Sequence, residues 1–75
     1  MAKKDRLVAV VSFKKRDGRW STGKRFFDWD LKMLLGVINY HIAHLKDNGK
    51  KEFEGRILKN GERILWLSLD GNEWR

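Results

Sequence analysis

The chain has 75 residues, with 17 Lys/Arg against 10 Asp/Glu for a net charge of +7, and it contains no cysteine and no proline. A chain of this length makes one domain that buries about 60% of the surface its unfolded form exposes, and the absence of cysteine excludes disulfides and thiolate zinc sites and fits a cytoplasmic setting. No run approaches the roughly 20 apolar residues that a membrane-spanning helix needs, so no membrane partner is expected.

The charge is unevenly placed. Residues 1–27 carry nine basic side chains (Lys3, Lys4, Arg6, Lys14, Lys15, Arg16, Arg19, Lys24 and Arg25) and two acidic ones, whereas the remainder balances eight against eight. A basic excess confined to one short segment sets up a local field that attracts polyanions or an acidic protein face.

Taken in chain order, residues 1–5 form a basic arm. Leu7 to Lys14 then reads as a strand with apolar residues on both alternating sets, the pattern of an interior strand. Its apolar run after Lys3 and Lys4 superficially resembles a signal peptide, but Lys14, Lys15 and Arg16 stand where small cleavage-site residues belong. Asp17-Gly18 predicts a two-residue type I′ hairpin, with Arg19 to Phe27 returning as the second strand. Gly23 inside it marks a bulge or a close backbone approach.

Asp28 is placed to cap the following helix, with Asp30 adding favourable charge to its first turn. Leu31, Leu34, Leu35, Ile38, Ile42 and Leu45 make its core stripe. The helix should end near Lys46, where Asn48-Gly49 supplies a left-handed stop. Glu52 to Lys59 and Glu62 to Leu69 follow as strands joined by Asn60-Gly61, a second type I′ signal. Residues 71–75 remain as a short tail of a single domain spanning 1–75.

The predicted fold is α+β in the order β-β-α-β-β. Apolar residues on both faces of the first and fourth strands put those two in the middle of a four-stranded mixed sheet of order 2-1-4-3, with the central pair parallel and one helix on one face. In element order this resembles the small β-grasp fold of immunoglobulin-binding bacterial domains, and fold alone carries no function. Which sheet face the helix covers stays open: either Ile57, Ile64 and Trp66 point toward it, or Leu65, Leu67 and Leu69 do.

The motifs for catalysis are poor. Gly18 to Lys24 spells the start of a phosphate-binding loop, but Arg25 replaces the magnesium-binding hydroxyl residue and the surroundings are a hairpin instead of a strand-to-helix turn. His41 and His44 lie three apart on the helix, and a metal site needs three or four convergent ligands. The expectation is a protein without catalytic residues, metal or cofactor.

Two functions fit. The first is a nucleic-acid-binding accessory protein that meets DNA or RNA phosphates through Lys3, Lys4, Arg6, Lys14, Lys15, Arg16, Arg19, Lys24 and Arg25, with Trp20 interleaved to stack on an unpaired base. The second is a protein-binding module, an inhibitor or adaptor docking on an acidic face of a larger nucleic-acid-handling enzyme. Its anchors are the second helix stripe, Met33, Val37, Tyr40 and His44, together with Trp74 and Trp20. Small basic cysteine-free chains resemble the accessory proteins of phages and mobile elements in general character. A homodimer through the helix stripe is compatible with either function. Both readings require that Glu52, Glu54, Glu62 and Asp70 leave the basic cluster unneutralised.

Overall fold

A computed structural model describes residues 5–75; Lys3 and Lys4, assigned above to the basic arm, lie outside the described residues. The elements are β1 (Leu7–Phe13), β2 (Lys24–Asp28), α1 (Leu31–Asp47), β3 (Phe53–Lys59) and β4 (Glu62–Leu67). They form an α+β fold with one four-stranded sheet and one helix.

The sheet order is β2-β1-β3-β4, and every neighbouring pair is antiparallel. This corrects the expected mixed sheet of order 2-1-4-3, and with the parallel central pair gone the β-grasp-like arrangement goes too. The physical reason lies in what covers each strand. Only one face of the sheet is covered by the helix, so an interior strand needs a single apolar side. β3 meets that need with Phe53, Gly55 and Ile57, all buried, and turns Glu54 and Arg56 the other way. β4, although last in the strand order, is not left with a bare edge: residues 73–75 fold back and pair with it. Trp66 N donates to Arg75 O and Arg75 N to Trp66 O, each at 2.7 Å, and Ser68 N donates to Glu73 O. A strand edge covered in this way exposes fewer unpaired backbone groups.

The core lies between α1 and one sheet face. Leu34, Ile38, Ile42 and Leu45 recur at helical spacing and meet Leu7, Ala9 and Val11 of β1, Phe53 and Ile57 of β3, and Leu67 of β4. Leu65 and Leu67 therefore face the helix and Trp66 faces away. Leu31 and Leu35 are half-buried at the rim of the same cluster. A β-bulge between Ile57 and Leu58 shifts the β3–β4 register, pairing Ile57 with Leu65 and Leu58 with Arg63, and leaves Ile64 as the extra residue.

Trp74 is half-buried and packs on this core instead of standing free as an exposed anchor. Its ring sits over Gly55, where an added Cβ would come within 2.9 Å of it, and its indole N–H donates to Asn39 Oδ1 on the helix at 3.2 Å. The short tail is thus a structural element. The turn before it is held by the Asp70 carboxylate, which accepts from the Ser68 hydroxyl and from Asn72; those hydrogen bonds, the Ser68 bond foremost, hold its carboxyl below the usual range.

Three local expectations shift. The helix N-cap is Asp30, whose side chain accepts from Lys32 N at 3.0 Å, while Asp28 makes the same kind of local turn one step earlier by accepting from Asp30 N. The β1–β2 hairpin is not type I′: Gly18 alone has positive φ (+87°), Gly18 N donates to Lys15 O, and Lys15 N donates to Arg19 O. This is the three-residue loop in which a left-handed glycine closes a type I turn. The return strand starts at Lys24 and not at Arg19: Ser21 N still donates to Phe13 O, but Phe13 N donates to the Ser21 hydroxyl oxygen at 3.0 Å in place of a backbone carbonyl, which interrupts the ladder. Asn60-Gly61 keeps the expected type I′ form, with φ of 53° and 83°.

Candidate nucleic-acid interface

The strand registers place the side chains of the uncovered sheet face on a grid. Because successive residues alternate between faces, the buried set Leu7, Ala9, Val11, Gly55, Ile57 and Leu67 assigns their neighbours to the opposite side. One row across the sheet reads Phe27, Val8, Leu58, Arg63. The next reads Arg25, Val10, Arg56, Trp66, Arg75, the last pair joined through the folded-back tail. Arg6 reaches the same face, its guanidinium carbon 5.0 Å from the Phe27 ring centroid.

Five of the seven arginines of the chain, Arg6, Arg25, Arg56, Arg63 and Arg75, thus share this face and are exposed. The two strand lysines, Lys24 and Lys59, fall on the helix side with Val11 and Leu7. Guanidinium groups are planar, weakly hydrated forks that pair with phosphate oxygens and stack on flat rings, so segregation of Arg from Lys gives this face a chemistry as well as a charge. Two carboxylates accompany them: Glu54 lies 3.7 Å from Arg56 and Glu73 lies 3.6 Å from Arg75. Among the described residues Arg6, Arg25 and Arg63 take part in no ion pair.

Two aromatic rings belong to this surface. Phe27 is 55% exposed, while its neighbour Phe26 packs into the core edge against His41. Trp66 is half-buried, and its indole N–H donates to Glu54 Oε1 at 3.2 Å, which holds the ring in place. Between them Val8, Val10 and Leu58 floor a shallow depression of about 420 Å³ rimmed by Arg6 and Arg25. Gly23 allows β2 to lie close against this floor, since a Cβ there would come within 2.4 Å of Val10 Cγ1.

The hairpin tip is a separate basic region. Lys14, Lys15 and Arg16 line a cleft of about 530 Å³ together with Lys50 and Lys51 from the loop after α1. Lys14 is paired with Glu52 at 3.4 Å, the one contact of the anticipated neutralising kind among the described residues. Arg19 and Trp20 lie beyond the turn, exposed, with Trp20 bridged to Lys14 through the backbone.

The proposed nucleic-acid residues therefore divide. Arg6 and Arg25 join the sheet face, Lys14, Lys15 and Arg16 join the tip, and Lys24 leaves both, standing on the helix side 5.7 Å from the Phe26 ring. Arg56, Arg63, Arg75, Phe27, Trp66, Lys50 and Lys51 were missed. The signal for Arg56 and Arg63 was present: alternation from Ile57, carried across the Asn60-Gly61 turn, puts both on one side. For Trp66 the signal is the alternative in which Leu65, Leu67 and Leu69 face the helix, whereas Arg75 carries none, since only the folded tail pairs it with Trp66.

Met33, Val37 and Tyr40 are 60%, 47% and 70% exposed on the outer side of α1, and His44 stacks edge-on against Tyr40 at 4.7 Å. Burial first, then the nearby Lys24 and His44, lower the pKa of His41. No cluster of three metal-ligating side chains occurs among the described residues, and no helix of the described residues is long and apolar enough to cross a membrane. No protein-family model matches the chain, and no curated protein or solved structure shows significant similarity to it.

Proposed function

We propose that this protein is a small non-enzymatic nucleic-acid-binding protein that engages DNA or RNA chiefly through phosphate contacts. The observation that carries this reading is the gathering of five exposed arginines, each from a different segment of the chain, on one sheet face accompanied by two carboxylates. The lysine-rich hairpin tip extends the positive surface at one end of the sheet. Cations on such a surface displace condensed counterions from the phosphate chain, so binding should weaken steeply with salt. If six cations engage, log affinity should fall against log salt with a slope near −4 on a single strand or near −5 on a duplex. Fluorescence anisotropy at several salt concentrations measures that slope. A flat response, or no binding at low salt, removes the reading.

A second reading rests on the exposed Met33, Val37 and Tyr40 stripe on the other side of the molecule. It makes the protein an adaptor or inhibitor that holds a partner protein, or a second copy of itself, by the helix. Replacing Tyr40 by Asp should then lower the sedimenting mass or abolish capture of a stoichiometric partner after nuclease treatment.

A further inference from the structure

The uncovered sheet face has features that phosphate binding alone does not require. Phe27 is an exposed ring that adds nothing to the core, which uses Phe26 instead. Trp66 is held by Glu54, so its polar handle is satisfied and its ring is preset. Val8, Val10 and Leu58 supply an apolar floor between arginines. A surface that alternates flat apolar groups with guanidinium forks matches a ligand that alternates flat bases with phosphates.

Resting on the nucleic-acid reading above, we propose that this face is a platform for single strands, on which unpaired bases stack against Phe27 and Trp66 while Arg6, Arg25, Arg56 and Arg63 hold the phosphates. Duplexes fit it poorly for two physical reasons. Their base faces are stacked on one another, leaving Phe27 and Trp66 nothing to stack on. A major groove about 12 Å wide admits a helix or a two-stranded ribbon, whereas neighbouring strands lie about 4.8 Å apart, so four strands and a fifth paired segment span roughly 19 Å between outer axes. Arg6 sits against the Phe27 ring and brings a cation beside any base stacked there. The row Arg25, Val10, Arg56, Trp66, Arg75 repeats a cation at every second strand position, about 9.6 Å apart, which gives an extended strand crossing the sheet successive anchors.

The test uses the full chain and three labelled probes of about a dozen nucleotides, within the usual site size for single-strand binders: an oligothymidylate, an oligouridylate and a mixed-sequence duplex. At equal salt at least one single strand should bind about ten-fold more tightly than the duplex. Phe27→Ala should weaken single-strand binding about 5- to 100-fold, the range that stacking of one base supplies, leaving duplex binding and the salt slope unchanged. Phe27→Trp should restore the affinity, which shows that an aromatic face is what is needed, and Arg25→Gln should instead flatten the salt slope by about one unit of bound phosphate. Comparison of the thymidylate and uridylate probes tells whether the strand taken is DNA or RNA. Equal or tighter binding of the duplex, or single-strand affinity unchanged in Phe27→Ala with its thermal melt intact, overturns the platform while leaving phosphate binding standing. No binding of any probe overturns both.

Discussion

On one side of the sheet β1 contributes Leu7, Ala9 and Val11, and β3 contributes Phe53 and Ile57, all buried under the helix; on the other side the same two strands contribute Val8, Val10, Ser12, Glu54, Arg56 and Leu58, none of them buried. The backbone is shared, so the contrast comes only from which way alternate side chains point and what covers them. The covered face holds the fold together through apolar burial worth about 1.5–3 kcal/mol for each large side chain. The uncovered face carries guanidinium groups and rings that the core does not use. The side chains that hold the fold and those left exposed are therefore separable residue by residue, even between neighbours such as Phe26 and Phe27.

Substitutions that respect or cross this division test it. The largest effect is expected at Phe53, which is fully buried: Phe53→Ala should cost about 3–5 kcal/mol in a urea titration, whereas Phe27→Ala should stay within about 0.5 kcal/mol. If Phe27→Ala destabilises comparably, the two faces are not distinct in the way described. Next comes the tail. Gly71 has φ of +73°, and a Cβ there would come within 2.0 Å of the Phe53 ring, so Gly71→Ala should cost about 1–3 kcal/mol. The same measurement sharpens the point that residues after β4 belong to the covered face.

At the helix start, Asp30→Ala should lose about 1 kcal/mol of stability by removing the N-cap, and Asp28→Ala should lose less. Equal losses would return the capping role to Asp28. The smallest effect is pH dependence at His41, the polar residue beside Phe26 at the edge of the covered face. Its pKa is lowered in the folded state by burial and by Lys24 and His44, so the unfolded chain takes up a proton first as pH falls. Its contribution is complete above about pH 6.5, declines below it, and levels off once the folded state is also protonated. The urea midpoint should therefore fall between about pH 7.5 and about pH 5.5, by less in His41→Gln than in the parent chain.

Much of the local structure was readable from residues alone. The core stripe Leu34, Ile38, Ile42 and Leu45 follows from helical spacing, and Asn60-Gly61 was recognised because few other pairs accept positive φ twice. The hairpin at Asp17-Gly18 was placed correctly but mistyped, since one left-handed glycine serves two kinds of turn. Gly23 marks either a bulge or a close approach in the sequence; the structure shows the close approach, to the Val10 side chain. The candidate surface was half visible: Arg6 and Arg25 were in the basic segment, while Arg56 and Arg63 were hidden in a stretch whose charges balance.

Local chemistry in the sequence determined the element order, the helix's buried stripe, the turn positions and the excess of positive charge, because each depends on residues a few positions apart. Tertiary structure decided the strand order, the face on which Trp66 lies, the burial of Trp74 and the company that Arg56, Arg63 and Arg75 keep. Those outcomes depend on which distant segments cover one another. Apolar residues on both sides of β4 are equally compatible with a neighbouring strand or with a returning tail, and only the folded chain distinguishes the two.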